Sequence, residues 1–125
     1  MPIQAQNQKA KSRFDLEERT ARFGEMVIDF SKTLPRDVIN NPLINQIIRS
    51  ATSIGANYME ADGAESKKDF QHKIAICKKE SKESKHWLRM IAKANPDKAG
   101  ECRKLWQEAH EFTLIFSAII RSGGK

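Results

Sequence analysis

The chain has 125 residues, 39% of them hydrophobic and 30% charged, with a formal net charge of +6 at pH 7. That is one ordinary domain's worth of sequence, too apolar for a disordered chain and too charged for a membrane protein. Its longest apolar stretch, Phe112–Ile120, falls short of the ~20 residues a bilayer span needs, and Met1–Arg13 lacks the apolar segment of a secretion signal; a cytoplasmic protein with no membrane partner is expected.

Residues 1–13 carry Lys9, Lys11 and Arg13 and no acid, and read as a mobile basic arm before a single domain over residues 14–122. Ser12 and Asp15 resemble a capping box opening a first helix. In it Leu16, Thr20, Phe23, Val27, Phe30 and Leu34 alternate at spacings of four and three until Pro35. Asn41-Pro42 predicts an N-cap followed by a first-turn proline, and Ile44, Ile47, Ala51, Ile54 and Tyr58 mark the seam of a second helix. The pattern breaks around Gly63. Ser66 with Asp69 forms another capping box, launching the longest helix, with the seam Phe70, Ile74, Cys77, Ser81, Ser84, Leu88 and Ile91. Asn95-Pro96 repeats the capping device for a fourth helix holding Cys102, Leu105, Ala109, Phe112, Phe116 and Ile119, which Ser122-Gly123-Gly124 ends. No segment alternates with period two. Four amphipathic helices on short connections bury their seams most simply as an antiparallel four-helix bundle, an all-α fold.

The third helix carries the electrostatic signal. Ser66–Asn95 holds nine Lys/Arg against three Asp/Glu, an excess of +6 that equals the whole protein's; the other segments cancel. At about 100° per residue, Lys67, Lys78, Lys82, Lys85, Arg89 and Lys93 gather on one flank with Lys68 and Lys79, largely without acidic i,i+4 partners. Segregated cations suit a phosphate backbone, and repeated around a homo-oligomer they favour structured RNA over DNA, with Lys78, Lys82, Lys85 and Arg89 as the leading contacts. Aromatic residues are scarce on that flank, so base stacking is not indicated. A lysine face that merely keeps the chain soluble is the plain alternative.

The opposite flank has Ile76, Glu80, Glu83 and Trp87, and the second helix has a further stripe of Ile48, Gly55 and Met59. Apolar groups beyond one seam per helix point to a subunit interface; a broader seam is the alternative. Arg49 is a candidate partner for Glu80 or Glu83, within or between subunits. The Ser50–Ala56 stretch is rich in small residues and lets a neighbouring helix approach closely.

Enzyme chemistry finds little support. Glu83-Ser84-Lys85-His86 supplies one Glu-x-x-His element, where a di-iron bundle needs two and more inward glutamates. His72 and His110 lack ligand spacing. No serine or cysteine has a nucleophile's local signature. Cys77 and Cys102 fall on apolar seams and read as small buried hydrophobes, and Ser81 and Ser84 as groups that bond back to their own helix or make room. No enzyme, metal or cofactor is expected.

The run Gln46–Glu60 resembles the second-helix signature of the bacterial four helix bundle protein family, first noticed in intervening sequences of large-subunit ribosomal RNA genes. Arg49, Ser53, Ile54, Asn57 and Glu60 match the pattern; the glycine that follows the glutamate there is Ala61 here, with Gly63 displaced. Phe70 and the run Lys79–Leu88 resemble the family's third helix, and the likeness covers residues 20–120. It implies a ring-like homopentamer, and, through the accessory variability determinant of diversity-generating retroelements, a basic assembly that binds nucleic acid and partners a reverse transcriptase. A protein-interaction scaffold without nucleic-acid binding is the other function the sequence admits.

Overall fold

A computed structural model describes residues 16–123. It contains four α-helices, α1 (Leu16–Ser31), α2 (Asn40–Asp62), α3 (Lys67–Ala94) and α4 (Ala99–Ser122), with one 3-10 turn, Pro96–Lys98, before α4. No strand occurs among the described residues. Each helix packs mainly on its neighbours in sequence, α1 on α2, α2 on α3 and α3 on α4, while α1 and α4 touch less extensively to close the bundle. The basic arm and the Ser12–Asp15 box lie outside the described residues.

The heptad-like seams form the core. Every predicted seam residue is buried except Ile119, which is half-buried against the cluster. Phe23 of α1 meets Phe112 of α4 edge-on at 5.6 Å, the arrangement ring quadrupoles favour. Arg19 then clips the same two helices: its guanidinium holds Glu108 through two bonds of 2.7 and 2.8 Å and Glu111 through one of 2.5 Å, and lies 5.3 Å from the Phe112 ring centroid. Those carboxylates raise its pKa further above an already high value. Between α1 and α2 the approach is close. A Cβ at Gly55 would lie 3.3 Å from Thr20 Oγ1, and one at Gly24 3.5 Å from Thr52, so the small residues of α2 serve α1.

The helix ends depart from expectation in three places. α1 stops at Ser31 rather than running to Leu34, though Leu34 still tucks into the core. α2 starts at Asn40, and its first amides are held by Asp37, whose Oδ1 accepts from the N–H of Ile39 and of Asn40 at 3.1 and 2.7 Å. Asn41 is therefore not its cap. Asn95 does not cap α4 either: its side chain turns inward, donating to Asn40 Oδ1 at 2.8 Å and to the Ile91 carbonyl at 2.9 Å, while Asn40 returns a bond of 3.2 Å. Both asparagines are buried. Ser66 does cap α3, accepting from Asp69 N–H at 3.0 Å, and Gly123 ends α4 with φ +66°, where glycine is favoured.

Candidate nucleic-acid interface

α3 places its cations by helical periodicity. With its seam facing the core, Lys67, Lys68, Lys79, Lys82, Arg89 and Lys93 are exposed and Lys78 is half-buried. None of them makes an ion pair with a described residue. Acids elsewhere are spent on other cations: Glu60 on Lys73 at 2.6 Å, and Glu108 and Glu111 on Arg19. Glu60 accordingly raises the Lys73 pKa. Ala75, Lys78, Lys79, Lys82 and Glu83 border a shallow hollow of about 330 Å³ on the outer face of α3.

Lys85 behaves differently from its neighbours. It reaches across to α4, its Nζ 3.1 Å from His110 Nδ1 and 5.1 Å from the Trp106 ring centroid. Trp106 and His110 stack with centroids 5.0 Å apart and planes 15° apart. The scarcity of rings on this flank, true of α3 alone, does not hold where α3 meets α4. Only pairing α3 with α4 brings these residues together, which is why spacing along α3 could not find them.

The residues expected at a subunit interface divide between two places. Arg49 meets Glu83 at 2.7 Å and the buried Glu80 at 3.5 Å, all within one chain. Trp87 is half-buried against the core, as is Ile48, and the Trp87 Nε1 is buried without a hydrogen-bond partner. Ile76 is half-buried on the same flank of α3. Met59, 63% exposed, and Gly55 instead border a groove of about 400 Å³ between α1 and α2, with Ile28 across from them and Glu17, Glu18 and Glu25 at its edge.

The residues weighed as nucleophiles and metal ligands have other partners or are buried. Cys77 and Cys102 are buried, and burial pushes their thiols up to about 12 and about 11, so neither is a thiolate near neutrality. Ser81 bonds back to the Cys77 carbonyl at 2.8 Å; Ser84 donates to Ser50 Oγ at 2.9 Å across the α2–α3 contact. Glu83 faces Arg49, and His86 lies edge-on against Trp87. Among the described residues no group of three His, Cys, Asp or Glu is placed to hold a metal ion, and no helix is long and apolar enough to cross a membrane.

Residues 13–118 match the 23S rRNA-intervening sequence protein family. Among solved structures, one of a protein of unknown function from the S23 ribosomal protein family of Bacteroides thetaiotaomicron, at 1.70 Å resolution, is similar with a TM-score of 0.80. The two sequences are 26% identical, over 88% of this chain and 98% of that one. No curated protein matches the chain.

Proposed function

The chain belongs to the 23S rRNA-intervening sequence protein family, and from that premise we propose that it is a non-enzymatic nucleic-acid-binding protein, with structured RNA as its ligand. The observation that carries this reading is the row of α3 cations that form no ion pair with a described residue. In the same reading the chain works as a homo-oligomer, a pentamer by family resemblance, in which several copies of α3 sum their fields. Its setting is that of an accessory subunit to a reverse transcriptase or a similar RNA-handling complex.

The test is a fluorescence-anisotropy titration of a labelled structured RNA across a salt series. A linear fall of log affinity with log salt is expected, each neutralised phosphate adding roughly 0.7–0.9 to the slope. Changing Lys78, Lys82 and Arg89 together to Glu should abolish binding while leaving the mass by light scattering unchanged. Undiminished binding by that variant refutes the assignment of the α3 face. A scaffold reading is favoured by one feature, the α1–α2 groove with exposed Met59 and Ile28; it predicts no RNA binding even at low salt.

A further inference from the structure

Phosphate contacts alone do not distinguish a duplex from a single strand, and the α3–α4 contact contains groups that can. Of the two tryptophans, Trp87 has His86 edge-on at 70° and its indole nitrogen enclosed. Trp106 instead carries a flat partner, His110, one helical turn along α4 and 15° from parallel. Both rings are half-buried, so the pair leans on the core without being closed over by it.

Lys85 fixes the chemistry of that pair. An ammonium only donates, so His110 Nδ1, 3.1 Å away, must accept. The Lys85 ammonium is itself held in place by His110 and the Trp106 ring, which lowers the ordering entropy of a further contact. Lys82 and Arg89 flank Lys85 within a turn on α3, exposed and without ion pairs to described residues. A stacked aromatic pair, an ammonium pre-placed over the Trp106 ring and beside His110, and one exposed cation to each side match one unpaired nucleotide and its neighbouring phosphates.

We propose that Trp106 and His110 form a stacking platform for one unpaired base, with Lys85 on that nucleotide's phosphate and Lys82 and Arg89 on the adjacent ones. The ligand of the basic face is then a single-stranded or looped segment of RNA, since a base inside a duplex has no free face to offer. This rests on the nucleic-acid reading above and narrows it.

The experiment uses the full chain and three labelled probes at equal concentration: a 12-mer oligouridylate, an abasic 12-mer of the same charge, and the oligouridylate annealed into a duplex and compared per phosphate. Affinity is read by anisotropy and stacking by quenching of tryptophan emission. Oligouridylate should bind about fivefold or more tightly than the abasic strand and quench emission, which the abasic strand should not. Trp106→Phe should lose the quench while keeping part of the preference, and Trp106→Ala should lose the preference with the salt slope unchanged. The Phe variant keeps a ring on the core, so the reading does not depend on the Ala variant folding. Equal, salt-sensitive binding of oligouridylate and abasic strand without quenching overturns the platform and leaves the phosphate-binding face standing. Failure of all three probes to bind at low salt overturns both.

Discussion

Replacing Asn95 with Ala tests whether the buried amide pair, and not a helix cap, is what this residue contributes. Asn95 and Asn40 are 5% and 3% exposed and exchange bonds of 2.8 and 3.2 Å, tying the start of α2 to the α3–α4 turn 55 residues away. Deleting one amide removes both bonds, at about 1 kcal/mol net each, and strands the other amide in the core for about 1–3 kcal/mol more. Asn40 keeps only a long contact of 3.4 Å to Asp37. The sum is a loss of about 3–5 kcal/mol, a large share of the roughly 5–15 kcal/mol that holds a domain together. Guanidinium unfolding followed by circular dichroism should show a lower midpoint with an unchanged slope. The variant lacking both asparagine side chains should lose less than the two single losses added, because no orphan remains. A loss below about 1 kcal/mol for Asn95→Ala, or strict additivity, would refute the reasoning.

Arg19→Ala removes a fork on Glu108, a bond to Glu111 and a cation over Phe112; a loss of about 1–2 kcal/mol is expected in thermal unfolding, with Arg19→Lys recovering less than half. The buried thiols give a pH signature. Their folded pKa values, about 12 for Cys77 and about 11 for Cys102, lie above the ordinary ~8.5, so their contribution is complete below pH 8 and falls as pH rises from about 9 toward 12. Guanidinium midpoints at pH 7 and pH 10 should converge in the Cys77→Ala, Cys102→Ala double variant more than in the native chain. A disulfide-exchange reagent at pH 8 should label neither cysteine until the protein unfolds.

The seams were legible because each requires only a period near 3.5 sustained over four turns, which a solvent-facing stripe does not imitate. Phe70 through Ile91 shows this: seven positions read from spacing, all buried. The caps were harder, since an Asn before Pro satisfies either a helix start or a buried turn, and the choice depends on what lies opposite. Asn40, far along the chain, decides it for Asn95. Arg49 with Glu80 and Glu83 was readable because all three lie on facing flanks of consecutive helices. Met59 lies apart from them: it faces the α1 side of α2, where Thr20 and Ala21 meet Gly55. Trp106 and His110 left no mark in the periodicity of α3, and a search for rings confined to one helix passes over them.

The charge pattern of α3 runs against the stability of the isolated fold. Elsewhere the bundle alternates sign: Glu18 with Arg22, Glu60 with Lys73, Arg49 with Glu80 and Glu83. Lys82 instead has Lys78 four residues before it, Lys79 three before and Lys85 three after, with no acid at those spacings. Like charges so placed cost about 0.2–0.5 kcal/mol per pair at low ionic strength. A sequence selected for folding alone would have neutralised one of them; under the proposed function a bound polyanion does so instead, which makes the cost a property of the free protein. Lys82→Gln should therefore raise the melting temperature in low salt, lose that advantage by about 0.5 M salt where the Debye length is a few ångströms, and weaken RNA binding in the same variant. A fall in melting temperature at low salt would mean that Lys82 stabilises the bundle, and the argument from unneutralised charge to a polyanionic partner would fail with it.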